Sequence, residues 1–429
     1  MANNLESNVT RRVLRSFLKS FESARVTTRT VDTRLFRGKF GPSSGTTVDI
    51  KRPHDYTTIR TTGGDISSDT KDDIVSGKAT CTKQDFFTGA LEFEVIEQAL
   101  ELDQLDEIMA PEAQRIVTDL EVDFSNFMME NCALVQGTPG EAINDWQEVA
   151  NAGALMASTG IPADMPWYYA MNPFAQVEMS NLQKDLTAAD QLVQTAWERA
   201  QIARNFGGLR ALTSTALGSY TTSADTDFSG ALNGTPTSTY VSVKDTMTQD
   251  LVVDGFTGAQ SIVAGTVVEI PTRFILNQAT REPALDASGA NIPWRGVVQT
   301  DATLSGGAGT ITVSSPAIYE TLGTPTRDGA YNNVVAPLAD NDVINIISAT
   351  ASTTFQPNMF YHPQAFSITT VDIPKLFSTD TKFTTKDGFT IRVSMYSDGD
   401  ANKQKVRWDL VPCYAVLNPF FAGHGYGTA

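Results

Sequence analysis

Three histidines, three cysteines and an Asp-rich turn are the residues of this 429-residue chain that could do chemistry or hold a metal. His54, His362 and His424 stand far apart, and none forms the HExxH or HxH spacing that would bring imidazoles to one ion. Each reads as a surface or packed residue. Cys81, Cys132 and Cys413 are odd in number and widely separated, with no CxxC pair. They predict buried thiols in a reducing compartment rather than a disulfide framework. Asp398, Asp400 and Asn402 place oxygen-bearing side chains at alternate positions, as calcium loops do, but the following glycine and the closing bidentate glutamate are absent. A turn between two strands accounts for them. Gly306, Gly307 and Gly309 form neither a dinucleotide-binding nor a phosphate-binding loop and suit a hairpin turn. No GxSxG elbow occurs, and nothing marks two of the many carboxylates as a glycosidase pair. The expectation is no catalytic residue, no cofactor and no metal.

The elements that would position such residues follow from composition and period. Hydrophobic residues make up 41% and charged residues 19%, the proportions of a folded chain, and the length predicts two or three structural units. The net charge is −17, unevenly distributed. Residues 1–60 hold twelve Lys or Arg against five acids, a net of +7, which leaves −24 for the remainder. A basic arm on an acidic body suits contact with a neighbour's acidic surface or with an acidic partner. The first twenty residues carry no apolar core after their charges, and no apolar run approaches eighteen residues. That predicts neither a standard export signal nor a membrane span.

Residues 8–24 read as a basic amphipathic helix, with Val13, Leu14, Phe17, Leu18 and Phe21 opposite Arg11, Arg12, Arg15 and Lys19. Residues 45–60 alternate like a strand, and 61–83 are polar and Gly-bearing, a long two-stranded excursion with little core of its own. Leu91, Phe93 and Val95 alternate and lead into a long helix. Ala113, Ile116, Val117, Leu120, Phe124, Phe127 and Met128 fall on one face of it, opposite Glu112, Thr118, Asp119, Glu121, Asp123 and Ser125. With Pro111 in its first turn and Leu134 at its end, that helix would span roughly 36 Å. Residues 166–182 (PWYYAMNPFAQVEMSNL) read as a strand whose Asn-Pro starts a helix, and Leu192, Val193, Ala196, Trp197 and Ala200 form a second helical stripe. Residues 211–345 contain five basic and thirteen acidic residues among many Thr, Ser and Gly, with short strands between turns. They read as a small all-β unit. Two alternating runs, 388–399 and 404–417, close the chain as a strand pair.

Three segments carry a resemblance to a known family. Residues 88–134 (TGALEFEVIEQALELDQLDEIMAPEAQRIVTDLEVDFSNFMMENCAL) look like a passage from extended loop into spine helix. Residues 201–217 (QIARNFGGLRALTSTAL), around Ile202, Phe206, Gly207 and Leu209, and residues 359–374 (MFYHPQAFSITTVDIP) look like the segments flanking an insert. Together they resemble the major capsid proteins of tailed double-stranded DNA bacteriophages, more narrowly the coat proteins of short-tailed Salmonella-type phages with an inserted β-barrel. Residues 263–270 (VAGTVVEI) have the strand character of that barrel.

The resemblance implies an α+β fold: an arm at 1–35, an extended β-hairpin loop at 36–90, and a peripheral domain with the spine helix at 91–150. It further implies an axial domain at 151–222 and 346–385, an inserted β-barrel at 223–345, and C-terminal peripheral strands at 386–429. It implies a structural protein, not an enzyme, that self-assembles as hexamers and pentamers into an icosahedral shell around double-stranded DNA in the host bacterial cytoplasm. A scaffolding protein and a portal would be partners, DNA would be enclosed without sequence-specific binding, and no membrane would be involved. An acidic inner wall suits a shell that must not grip its genome. The expected subunit-interface residues are Arg11, Arg12, Arg15, Phe17, Lys19 and Phe21 of the arm and Asp65, Asp69, Lys71, Asp72 and Asp73 of the loop. Two other readings are weaker. A carbohydrate-binding or hydrolytic protein with a β-rich binding module would need convergent aromatics, and Trp146, Trp167, Trp197, Trp294 and Trp408 are scattered. A surface-array or adhesin subunit would need an export signal.

Overall fold

The computed structural model describes residues 25–428 apart from 42–43, 54, 57, 70, 72–73, 95–104, 184–198, 200–201, 224–227, 321–327, 349, 378–379, 399 and 401–402. The architecture is α+β in two compact units. One comprises residues up to Asp49, Thr80–Ser125 and Phe366–Val416, and the other Ile50–Ala79, Asn126–Ala365 and residues from Leu417.

The longest helix, α1 (Leu105–Glu130), is 26 residues long. Ala113, Ile116, Val117, Leu120, Phe124 and Met128 are buried along it, as their spacing predicts, while Phe127 is only half-buried. Burying a side chain of this size contributes roughly 1.5–3 kcal/mol, so this stripe alone secures the helix. Its ends differ from expectation. The helix begins at Leu105, so Pro111 lies inside it and leaves the carbonyl of residue 107 without the usual amide partner. It stops at Glu130 rather than Leu134 because nearby side chains take its last carbonyls. Asn131 donates to the Phe127 carbonyl at 2.8 Å and the Cys132 thiol to that of Met129 at 3.3 Å.

The polar face of α1 also differs from expectation. Ser125 and Glu121 are buried, Glu121 with 3% of its surface exposed. The Glu121 carboxylate accepts the backbone N–H of Val26 (3.2 Å), Thr27 (2.8 Å) and Thr28 (3.1 Å), and the Thr28 hydroxyl as well. A charged acceptor with several donors is what makes a buried carboxylate tolerable. Arg25 is buried beside it, bonded to the Thr28 side chain and carbonyl, paired with Asp387 at 2.9 Å and lying 4.1 Å over the Phe389 ring. Arg25 is therefore not one of a set of solvated basic-arm charges. Asp32 continues the attachment, its amide donating to the Phe366 carbonyl and its carbonyl accepting from Ile368.

Two four-stranded sheets complete this unit. The first runs Thr47–Lys51, Lys78–Lys83, Pro412–Val416, Phe366–Thr370. The second runs Thr381–Thr384, Thr390–Asp398, Lys403–Leu410, Phe87–Glu94, and its hairpin pairs Asp398 with Lys403, which puts the Asp-rich turn between two strands. On its central strand the fully buried Asp409 accepts from Arg392, Arg407 (2.7 Å) and Thr88 (2.9 Å). Burial raises its pKa, but these donors outweigh burial and hold the carboxyl below the usual range. The excursion expected at 36–90 is a short pair, Thr47–Lys51 with Lys78–Lys83, and the described residues between them form turns and loop. Pro53 lacks a ladder donor and Gly64 turns through φ +71°, so the ladder ends early.

In the second unit a six-stranded mixed sheet has the order Leu134–Gln136, Ala422–Gly425, Asn358–Tyr361, Tyr168–Met171, Leu209–Thr213, Asn205–Phe206. Helix α2 (Trp146–Ser158) starts from a capping box. The Asp145 side chain accepts from Gln147, and Glu148 accepts from the amides of Asn144 and Asp145. Glu148 also takes the amide and hydroxyl of Thr428 at 2.7 and 3.0 Å, which ties down the last described turn of the chain. Helix α3 (Pro173–Gln183) follows the Tyr168–Met171 strand.

The other six-stranded sheet of this unit is antiparallel: Pro293–Val297, Val267–Phe274, Val343–Ile346, Ser229–Leu232, Gln249–Asp254, Gly309–Val313. Its end strands meet. Ser314 donates to Val297, Gln299 to Thr312, each at 2.9 Å, and Val298 bridges Val313. The sheet is thus a closed barrel, filled by Leu251, Val253, Val268, Ile270, Trp294, Ile311, Ile344 and neighbours.

Replacing Glu121 with Gln would leave one oxygen for the Val26 and Thr28 donors, turn an amide NH2 toward the Thr27 amide and remove the charge that all of them meet. We expect Glu121→Gln to lower unfolding stability by about 2–4 kcal/mol, and Glu112→Gln on the same helix by no more than about 0.5 kcal/mol, in urea denaturation.

Candidate assembly surfaces

The residues that could do chemistry are occupied by structure. His362 is buried on the strand-end turn after Asn358–Tyr361, with Nε2 at 3.1 Å from Asp164 and Nδ1 accepting the Gln364 amide. Burial lowers its pKa, and Asp164 opposes that only in part. His424 is wholly enclosed, Nε2 2.9 Å from the Met129 carbonyl, and burial lowers its pKa to about 4. His54 lies outside the described residues. All three cysteines are free and buried; Cys81 is pushed up by the neighbouring Cys413 thiol and by burial, Cys132 by burial, so none is a ready thiolate. Among the described residues no group of three or more His, Cys, Asp or Glu could hold a metal, and no helix is long and apolar enough to cross a membrane.

The expected interface residues divide into two groups. Arg11, Arg12, Arg15, Phe17, Lys19 and Phe21 of the arm lie outside the described residues, as do Asp72 and Asp73 of the loop. The expected helical stripe of Leu192, Val193, Ala196, Trp197 and Ala200 lies there too. Asp65 and Lys71 are exposed and Asp69 is half-buried, gathered into one self-contained turn. Asp65 accepts the Ser67 amide, which holds its carboxyl below the usual range. Lys71 donates to the carbonyls of Ile66 (2.6 Å) and Asp69 (3.1 Å). The contacts of Asp65 and Lys71 stabilise the tip of the loop locally.

Sequence reasoning missed the exposed apolar residues. On α3 the outward stripe carries Phe174, 83% exposed, with Val177 and Leu182. The 52–77 loop presents Tyr56, Ile66 and Ile74, and the connection before strand Thr381–Thr384 presents Leu376 and Phe377, the latter stacked on Tyr396 at 5.8 Å. Clusters of this kind mark contact surfaces more often than scattered single residues do. The signal in the sequence is identical to that of a core face, because spacing reports a shared side of a helix and not what covers it.

His424 yields a pH signature. Its folded pKa of about 4 lies below the ordinary 6.5, so the unfolded chain binds the extra proton first as pH falls. Its contribution is intact above pH 6.5 and is lost between 6.5 and about 4, amounting to up to about 3 kcal/mol. In His424→Gln, whose amide can still donate to Met129, that part of the slope of stability against pH should vanish in denaturation curves taken across the window.

The comparisons with known proteins agree along the chain's length. The family model described as P22 coat protein, gene protein 5, matches residues 1–427. A major capsid protein of Acyrthosiphon pisum secondary endosymbiont phage 1 is 38% identical over 432 residues, covering 100% of both chains. Solved structures that align include one of Mycobacterium phage Che8 (TM-score 0.46, 11% identity, 93% of this chain and 90% of that one). Another is the capsid of cyanophage P-SCSP1u (TM-score 0.42, 10% identity, 90% and 84%). With a full-length family match and a relative this close over its whole length, the chain belongs to the P22 coat protein family and is a phage major capsid protein, a subunit of the capsid shell.

Proposed function

We propose that copies of this chain group as hexamers and pentamers into an icosahedral shell around double-stranded DNA, assembled in the host bacterial cytoplasm with a scaffolding protein and a portal. The observation that carries this is the match to the coat protein family over residues 1–427. In this reading residues 1–35 are the arm, 36–90 the extended loop and 91–150 the peripheral domain with its spine. Residues 151–222 and 346–385 form the axial domain, 223–345 the inserted barrel, and 386–429 the last peripheral strands. Closed shells reuse one set of patches on every copy, and the exposed apolar residues of α3 and of the 52–77 loop suit that use.

Charge supports two further assignments. The +7 of residues 1–60 suits an acidic partner, either a neighbouring subunit or a scaffolding protein, and Arg11, Arg12, Arg15 and Lys19 with Phe17 and Phe21 would make that contact. The −24 of the remaining chain suits a wall that encloses DNA without binding it. Asp65, Asp69, Lys71, Asp72 and Asp73 would meet a neighbour at the loop tip. The experiment is expression of wild type and of a variant with Arg11, Arg12, Arg15 and Lys19 all replaced by Glu, followed by sucrose-gradient sedimentation and negative-stain electron microscopy. Wild type should give closed particles and the variant only slow-sedimenting subunits. Normal shells from the variant would remove the arm from the assembly contact, and a wild type that stays small in the presence of its scaffold would overturn the shell reading.

A further inference from the structure

The loop between strands Thr47–Lys51 and Lys78–Lys83 is fastened to the body of its own unit. At its base Arg52 is buried, donating to the carbonyls of Lys78 (2.9 Å) and Leu417, and burial lowers its pKa to about 10. On the other side Val75 packs against the cluster of Tyr240, Val243, Met247 and Ile318, beside the parallel stack of Tyr240 and Tyr331 with centroids 3.6 Å apart. Gly77 fits there because it lacks a side chain. A Cβ would lie 2.6 Å from the Lys244 carbonyl oxygen and 2.9 Å from the Tyr240 hydroxyl.

Beyond these buried anchors and the Lys244 contact with the Ser76 carbonyl at 3.4 Å, the described residues show an attachment of a different kind. The Asp55 carboxylate meets Arg281 at 2.6 Å, and the Asp55 amide donates to the Tyr331 hydroxyl at 3.0 Å. The ion pair is open to water, with the two side chains 51% and 30% exposed, so solvent screens it and it is easily broken. Arg281 holds its position with φ +63°, a left-handed conformation that non-glycine residues seldom adopt. Just past Asp55, Tyr56, Ile66 and Ile74 face solvent, Ile74 with 74% of its surface exposed. The loop thus has a fixed base, a weak clasp and uncovered apolar residues.

We propose that Asp55, Arg281 and Tyr331 form a releasable latch that holds the 52–77 loop on the chain's own barrel in the free subunit, and that docking of a second copy of this chain opens it. This rests on the shell reading, in which the loop must reach a neighbour. A screened pair is weak enough for burial of Tyr56, Ile66 and Ile74 by that neighbour to overcome, yet it keeps the loop down while subunits are unassembled. The latch would therefore slow premature association and set the rate of loop exchange.

The test uses full-length unassembled subunit and three variants: Arg281→Asp, Asp55→Arg and the double swap. Asp is among the residues that tolerate a left-handed φ, so Arg281→Asp should fold, and Asp55→Arg serves if it does not. Trypsin cleavage after Arg60 and Lys71, followed by mass spectrometry, reads loop release, and light scattering reads the initial assembly rate. Each single variant should be cleaved about two- to fivefold faster than wild type at an unchanged melting midpoint, and should assemble faster by a similar factor, with the swap returning both towards wild type. Unchanged cleavage in both single variants would overturn the latch. Faster cleavage with an unchanged or slower assembly rate would overturn its gating role. A wild type that forms no particles would instead count against the shell reading, while the cleavage rates still decide whether the pair holds the loop.

Discussion

The arrangement of the first unit depends on one buried carboxylate. Glu121, on the middle of α1, collects the amides of Val26, Thr27 and Thr28 and the Thr28 hydroxyl, and so fixes a segment more than ninety residues earlier in the chain. Once that segment is fixed, Arg25 reaches Asp387 and the face of Phe389, and Asp32 pairs beside Phe366–Thr370. Three stretches distant in sequence are thus held by one anion and the amides it satisfies. Without the carboxylate, three donors would be left in a dry environment, each a desolvation cost rather than a mere lost bond. A long helix free of catalytic groups makes sense on these terms: its polar residues serve to hold other segments of the chain.

The same economy recurs elsewhere. Glu148 caps α2 and binds Thr428, Asp409 is enclosed by two guanidinium groups and a threonine, and Asp342 is held by Arg273 and the Ala339 amide. The barrel closes on itself through main-chain bonds from Ser314 and Gln299, leaving no open edge on which a stray strand could add. These carboxylates bind backbone amides, hydroxyls and counter-charges. Among the described residues, exposed apolar side chains on α3 and on the 52–77 loop suit the contact between copies proposed for a shell subunit.

Much of this was legible in the residues, and the remainder fails for identifiable reasons. The apolar stripe from Ala113 to Met128 reads directly, since three-and-four spacing needs only the helix itself. The spacing puts Glu121 and Ser125 on the face opposite the apolar stripe, one that suits water or a neighbouring subunit, because a pattern records only which side of a helix a residue occupies; the partner that buries Glu121 lies far off in sequence. Pro111 suggested a helix start, yet propensity yields to tertiary packing and the helix runs through it. The barrel strands show as short alternating runs between turn residues, but closure depends on register, on Val298 meeting Val313, which no single strand encodes. The 52–77 loop reads correctly as polar with little core, and its attachment to the barrel through Asp55 and Arg281 leaves no local signature.

The central claim is that Glu121 pins residues 26–28 to α1, and amide hydrogen exchange on the unassembled subunit tests it most directly. The amides of Val26, Thr27 and Thr28 should exchange about as slowly as those of the buried turns of α1 in wild type. In Glu121→Ala, which removes both acceptor oxygens, they should lose that protection while the helix keeps its own. Fast exchange at 26–28 in the wild type, or protection that survives the substitution, would contradict the account and place the anchor of this unit elsewhere.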